Sequence, residues 1–158
     1  MKTLLLVRHA KAEPAVLGQS DHDRSLDKRG VSAARDLAQY LLNEGLKVDC
    51  VLVSSAKRTA MTANLLLESV AVDPANVRVL DSLYLANAQH LTNLIHKTRN
   101  DIQTLMVVSH NPGLEDLAHA FYPAVKELRT AQMVQLTFNT DQWALVKPAL
   151  VIKGQLVN

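Results

Sequence analysis

The segment Leu4-Leu5-Leu6-Val7-Arg8-His9 passes directly from a run of branched apolar residues to a cation and an imidazole. Such a short, continuously apolar run is typical of a strand that is buried on both faces of a sheet. The same change occurs twice more, where Cys50-Val51-Leu52-Val53 precedes Ser54-Ser55 and Thr104-Leu105-Met106-Val107-Val108 precedes Ser109-His110. The sequence therefore predicts three buried strands, each with polar side chains at its carboxyl end.

Apolar residues at helical spacing fill the segments between these strands. The predicted helices cover residues 27–44, 56–69, 87–99 and 112–121. Asp27 is expected to cap the first helix, and the hydroxyls of Ser54 and Ser55 are expected to cap the second. Residues 77–80 predict a further short strand, residues 133–138 and 142–146 a hairpin, and residues 150–158 an edge strand or a frayed tail.

Strands that alternate with helices indicate an α/β fold with a mainly parallel sheet and helices on both faces. We expect a single domain of three layers over residues 1–158. Ligands of such sheets bind beyond the carboxyl ends of the strands. The polar groups Arg8-His9, Ser54-Ser55 and Ser109-His110 should therefore meet in one crevice.

The composition argues against several classes of partner. Because 17 Lys and Arg oppose 15 Asp and Glu, the formal charge of +2 does not predict binding to nucleic acid or to a membrane. Aromatic residues, at 4%, are too few for base-stacking platforms. Cys50 is the only cysteine, which excludes an internal disulfide and a cysteine-rich metal cluster. The apolar run before Arg8 is too short for a secretory signal, so we expect a cytoplasmic protein.

Four of the polar residues at these strand ends suit phosphoryl transfer. A phosphoryl group in transfer needs a nucleophile in line with the leaving group, and several fixed cationic or N–H donors around its oxygens. Arg8, His9, Arg58 and His110 supply these groups. Arg58 lies one helical turn after Ser54-Ser55, so its guanidinium can reach the helix N-terminus, where free N–H groups also favour an anion.

Three motifs resemble the signatures of the histidine phosphatase superfamily, in the same order and at the same spacing. They are Leu6-Val7-Arg8-His9-Ala10, Ser54-Ser55-Ala56-Lys57-Arg58-Thr59-Ala60-Met61-Thr62 and Val108-Ser109-His110-Asn111-Pro112-Gly113. The segment Asp23–Gly30 and the His110-Asn111-Pro112-Gly113 form of the last motif are most similar to the SixA branch of phosphohistidine phosphatases. The resemblance extends over nearly the whole chain, and it implies a phosphoglycerate mutase-like fold.

The resemblance also implies roles for individual residues. His9 would be the nucleophile, while Arg8, Arg58 and His110 would bind the phosphoryl oxygens and stabilise the transition state. Further contacts to the substrate are expected from three residues, namely Arg24 at the rim, Ser54 and Asn111. The superfamily usually has Gly after the nucleophile, where this chain has Ala10, and we expect an ordinary φ at that position.

A carboxyl proton donor is not obvious in the sequence. Many members of the superfamily carry one just after the second histidine or in the loop after the third strand, where this chain has Asn111 and Asp81-Ser82-Leu83-Tyr84. The two candidates are Glu115 and Asp81, although Glu115 also suits the first turn of a helix through the helix dipole. An alkoxide leaving group needs a proton, whereas the imidazole of phosphohistidine departs as a neutral ring. The missing acid therefore favours a P–N substrate over a P–O ester.

The sequence thus predicts a phosphatase that forms a phosphohistidine intermediate on His9. The expected substrate is phosphohistidine in a protein, and no organic cofactor or metal is expected, since the remaining histidines lack ligand spacing. Two alternatives are a phosphatase for esters of small metabolites or phosphopeptides, and a phosphate-binding regulatory module without turnover. A mutase is disfavoured because a chain of this length has little room for segments that would trap the substrate.

Overall fold

The three apolar segments form neighbouring strands of one sheet in a computed structural model that describes residues 1–158. The six strands are β1 (Lys2–Arg8), β2 (Cys50–Ser54), β3 (Val77–Leu80), β4 (Thr104–Ser109), β5 (Met133–Phe138) and β6 (Val151–Val157). The four α-helices are α1 (Lys28–Asn43), α2 (Lys57–Leu67), α3 (Ala88–His96) and α4 (Gly113–Phe121). The elements therefore alternate along the first two thirds of the chain, as the sequence predicts.

The strand order is β3-β2-β4-β1-β5-β6. The first four strands of this order are parallel to their neighbours, whereas β5 is antiparallel to β1 and β6 is antiparallel to β5. In the central pair, Arg8 of β1 lies opposite Ser109 of β4. The carboxyl ends of β1 and β4 therefore lie side by side, and the mainly parallel sheet is confirmed.

Helices cover both faces of the sheet because successive strand residues point to opposite sides. Leu4 and Leu6 belong to the core cluster that includes residues of α3 and α4, whereas Leu5 and Val7 belong to the cluster that includes residues of α1 and α2. All four side chains are fully buried. This arrangement gives three layers, with a large hydrophobic core on each face of the sheet.

Of the two helix caps predicted from the sequence, only the cap of α1 is present. The carboxylate of Asp27 accepts a hydrogen bond from the Gly30 N–H at 2.7 Å, as predicted for α1. The N-cap of α2 is Ala56 and makes no side-chain cap, so the prediction of a serine cap for this helix is wrong. Ser54 still belongs to β2, where its Oγ accepts a bond from the Ala56 N–H at 3.3 Å.

The predicted strand over residues 142–146 is also wrong. Trp143–Leu145 forms a 3₁₀ turn, and the partner of β5 in the antiparallel hairpin is β6. The buried residues Trp143 and Val146 are three positions apart, which is the spacing of a turn and not of a strand. The indole N–H of Trp143 donates to the Ile102 carbonyl at 2.7 Å, which satisfies the polar group of this core residue. β6 confirms the expected edge strand at residues 150–158.

None of the helices combines the length and the apolar character needed to cross a membrane.

Candidate active site

A cavity of about 500 Å³ lies at the carboxyl end of β1, next to residues that follow β2 and β4. Six of the site residues predicted from sequence line this cavity: Arg8, His9, Arg24, Arg58, His110 and Asn111. Asp21 is the only carboxylate among the lining residues. Four guanidinium or ammonium groups therefore face one negative charge, since Lys11 also belongs to the wall. A cavity with this excess of positive charge suits a compact anion.

His9 is held in one orientation and one tautomer. Its ring is buried, and Nδ1 lies 2.7 Å from the Ala10 carbonyl oxygen. Because a carbonyl oxygen only accepts hydrogen bonds, Nδ1 must carry the proton, and Nε2 therefore keeps its lone pair. Arg58 Nε donates toward Nε2 at 3.4 Å, which agrees with this tautomer.

The electrostatic environment keeps His9 neutral. Burial lowers the pKa of His9 from 6.5 to about 4, and the charges of Arg58, Arg8 and Arg24 add to this effect against the opposing hydrogen bond to Ala10. Near pH 7 the ring is therefore a neutral imidazole, with its proton on Nδ1 and an available lone pair on Nε2.

The backbone around His9 is fixed from two sides. The Ala10 N–H donates to Thr62 Oγ1 at 3.0 Å, and the Thr62 hydroxyl donates to the Arg58 carbonyl at 2.7 Å. On the other side, the Ala131 N–H is shared between the Arg8 and His9 carbonyls at 3.2 and 3.1 Å. Ala10 itself is not among the residues with positive φ, so the expected ordinary φ is confirmed.

Arg58 projects from the first turn of α2 and is only 3% exposed. Its Nη1 donates to the Asp21 carbonyl at 2.8 Å, and its Nη2 donates to the Asp21 carboxylate at 3.0 Å. The same carboxylate accepts a bond from Arg24 Nε at 2.9 Å and another from the Tyr84 hydroxyl. Asp21 thus joins the loop before α1, helix α2 and the loop after β3.

Asp21 is ionised at neutral pH. The hydrogen bond from Tyr84 is the largest cause that lowers the pKa of Asp21 to about 2, followed by Arg24 and Arg58, which outweigh partial burial. Sequence reasoning missed this residue. The only signal was its position three residues before Arg24, a spacing that allows a local ion pair.

Arg8 and His110 each carry a buried nitrogen without a partner in the chain. Arg8 Nη1 donates to the Leu128 carbonyl at 3.2 Å, but Arg8 Nε has no acceptor. His110 Nε2 lies 2.7 Å from Ser54 Oγ, while His110 Nδ1 is unpaired. Both residues line the cavity, and the two unpaired nitrogens are themselves buried.

His110 lies next to His9, with a distance of 5.3 Å between the ring centroids. Burial lowers the pKa of His110 to about 3, and the charge of Arg58 is the second cause. Both imidazoles are therefore neutral at pH 7 in the free protein.

Three other predicted residues lie away from the cavity lining. Ser54 is fully buried behind His110, so its observed contact is with that imidazole. Glu115 accepts hydrogen bonds from the Leu128 N–H at 2.8 Å and from Asn111 Nδ2 at 3.3 Å, and it thereby holds the segment before β5. Asp81 is exposed in the 3₁₀ turn after β3. Neither of these two carboxyl groups lines the cavity.

No cluster of three or more His, Cys, Asp or Glu side chains has the arrangement of a metal site. The residues present instead form a cationic pocket around a neutral imidazole. This pocket can bind a tetrahedral oxyanion and present a nucleophile to it.

Comparison with known proteins points to one family. The model of the histidine phosphatase superfamily, branch 1, matches residues 4–106. An uncharacterised chloroplastic protein of Arabidopsis thaliana is 33% identical over 150 residues, which cover 90% of this chain and 69% of the relative. The family match includes the motifs that carry Arg8, His9 and Arg58.

Two solved structures share the whole architecture. A protein of Nakamurella multipartitia assigned as the phosphohistidine phosphatase SixA superposes with a TM-score of 0.85 at 27% identity, over 99% of this chain and 95% of that one. A protein of Agrobacterium tumefaciens with the same assignment gives 0.80 at 26% identity, over 87% and 92% of the two chains. The phosphoglycerate mutase-like fold expected from the sequence is confirmed. The chain therefore belongs to the histidine phosphatase superfamily, branch 1, and its fold is similar to that of the two structures assigned as SixA.

Proposed function

We propose that the protein hydrolyses phosphohistidine in phosphorylated proteins and that His9 carries the phosphoryl group between the two steps. The observation that supports His9 most strongly is its neutral, Nδ1-protonated state beside two arginines that line the same cavity. The assignments of the two similar structures as SixA phosphohistidine phosphatases support the substrate class.

In the first step, the lone pair of His9 Nε2 attacks phosphorus and forms a new N–P bond. The P–N bond of the substrate breaks, and its electron pair leaves with the substrate imidazole. Arg8, Arg58 and His110 hold the three phosphoryl oxygens, whose charge is spread in the transition state. In the second step, water attacks phosphorus, the N–P bond to His9 breaks, and inorganic phosphate and a proton are released.

The leaving group decides between a P–N and a P–O substrate. Phosphohistidine already carries a proton on its free ring nitrogen, so its imidazole departs as a neutral molecule. An alkoxide needs a proton from an acid, and the only carboxyl group in the cavity wall is that of Asp21, whose pKa is lowered to about 2. An ionised Asp21 has no proton to give at neutral pH. The cavity therefore favours a substrate whose leaving group departs without an added proton.

The proposal is tested by hydrolysis of three substrates: a phosphohistidine protein, a phosphoserine peptide and an aryl phosphate. We expect kcat/KM for phosphohistidine to exceed that for phosphoserine by at least about 100-fold, since general acid catalysis contributes about that much to ester cleavage. His9→Ala should be inactive on all three. Equal or faster cleavage of the ester would overturn the substrate class, and negligible rates on all three would indicate a binding module.

A further inference from the structure

Leu85 is the only large apolar side chain that lines the cavity. The other lining residues are charged or polar, apart from the methyl group of Ala12. Leu85 is 55% exposed, although its neighbours Leu83 and Ala86 are buried. An exposed leucine is common on protein surfaces, but its place in the wall of a cationic pocket is not explained by phosphate binding.

The backbone of Leu85 is also unusual. Its φ is 52°, in the left-handed region, and Ala131 is the only other residue besides glycine with positive φ. A branched side chain in this region is unfavourable, and such residues concentrate at functional sites. The observed conformation places the leucine side chain at the cavity.

Buried contacts on both sides hold Leu85 in this position. Leu83 is fully buried in the core, and its carbonyl accepts a hydrogen bond from the Ala86 N–H at 3.2 Å. The Ala86 carbonyl oxygen packs so closely on Gly113 that a Cβ at that glycine would lie 1.9 Å from it. The backbone at residue 85 is therefore confined between two anchored segments, and its side chain lines the cavity.

Tyr84, the residue before Leu85, contacts two of the lining residues, His110 and Asp21. Its ring meets the ring of His110 edge to face, with 5.5 Å between the centroids. Its hydroxyl donates to Asp21. The loop after β3 thus presents an aromatic ring and an aliphatic side chain next to groups that bind the phosphoryl oxygens.

We propose that Leu85 determines specificity by packing against the ring of a phosphoimidazole leaving group. The carbon atoms of an imidazole ring are apolar, and burying them against leucine is favourable, whereas phosphoryl oxygens gain nothing from this contact. The inference rests on the proposed hydrolysis of P–N bonds, and it adds that the site prefers a substrate that carries a ring at phosphorus.

The test compares two P–N compounds that differ in this ring, N-phosphoimidazole and phosphoramidate. Leu85→Asn removes the apolar surface, and Asn tolerates a left-handed backbone, so the melting temperature should not fall. Leu85→Met is the matched control, because it keeps an apolar side chain of similar volume. We expect Leu85→Asn to lower kcat/KM for N-phosphoimidazole by about tenfold and for phosphoramidate by less than about twofold. Leu85→Met should retain both activities.

An equal effect of Leu85→Asn on the two compounds, or no effect on either, would overturn the role of Leu85 while leaving P–N hydrolysis intact. If the unsubstituted protein hydrolyses neither compound, the proposed function is overturned, and this inference is overturned with it.

Discussion

Asp21 contacts Arg58, Arg24 and Tyr84, three side chains from three different parts of the chain. Its carbonyl oxygen accepts a further bond from Arg58, so both terminal nitrogens of this guanidinium are directed by one residue. Because planar guanidinium groups bind phosphoryl oxygens through fixed N–H directions, the orientation of Arg58 matters as much as its charge. We infer that Asp21 is a positioning residue for Arg58.

Asp21→Ala should therefore lower kcat/KM for a phosphohistidine substrate by about 10- to 100-fold, the usual cost of a misplaced binding group. Steady-state kinetics measure the effect. Asp23→Ala is the matched control on the same loop, because Asp23 is exposed and its carboxylate lies 3.7 Å from the imidazole of His22. If the two variants lose activity equally, the loss reflects the loop as a whole and the positioning role is refuted.

At the scale of elements, α2 connects the nucleophile to the phosphate-binding arginine. Thr62 and Arg58 are four residues apart on this helix, so the Thr62 hydroxyl bonds the Arg58 carbonyl of the preceding turn. The same hydroxyl oxygen accepts the bond from the Ala10 N–H, directly after His9. The end of β1 and the start of α2 are therefore coupled through one buried side chain.

Thr62→Val keeps the shape of the side chain but leaves the buried Ala10 N–H without an acceptor. We expect a loss of about 1 to 3 kcal/mol in the free energy of unfolding, measured in urea, because an unsatisfied buried donor costs about that much. Turnover should also fall, since His9 loses one of its two backbone supports. Thr62→Ser retains the hydroxyl and should preserve both quantities. Wild-type activity in Thr62→Val would show that this contact does not position the nucleophile.

The elements of the fold differ in how much local sequence signal they carry. The strands that end in Arg8, Ser54 and Ser109 could be predicted because each is a continuous apolar run bounded by polar residues. Asp21 and Thr62 could not, because their partners are 37 and 52 residues away in the chain and no local pattern marks such contacts. The turn at Trp143 cannot be distinguished from a strand by sequence, because a short apolar segment has little periodicity.

At the scale of the whole molecule, folding buries two imidazoles in a cationic environment. The pKa values of His9 and His110 fall from 6.5 to about 4 and about 3 in the folded state. At pH values between the pKa in the folded protein and the pKa in the unfolded chain, the unfolded chain binds protons that the folded protein does not bind. The free energy of unfolding therefore decreases as the pH falls below about 6.5.

We expect this effect to remove about 3 kcal/mol of stability between about pH 7 and about pH 5, since each imidazole contributes up to about 1.4 kcal/mol per pH unit. Urea unfolding at the two pH values measures it. The double variant His9→Asn with His110→Gln lacks both groups and should show a clearly smaller decrease. Equal decreases in the two proteins would mean that other groups cause the pH dependence.

The central claim is that His9 accepts the phosphoryl group, and trapping of the intermediate tests it most directly. The protein is mixed rapidly with radiolabelled phosphoramidate, the reaction is stopped in alkali, where phosphohistidine survives, and the labelled peptide is identified by mass spectrometry. We predict one phosphoryl group on the peptide that contains His9 and none in His9→Ala. A label on another residue, or undiminished turnover by His9→Ala, would contradict the account.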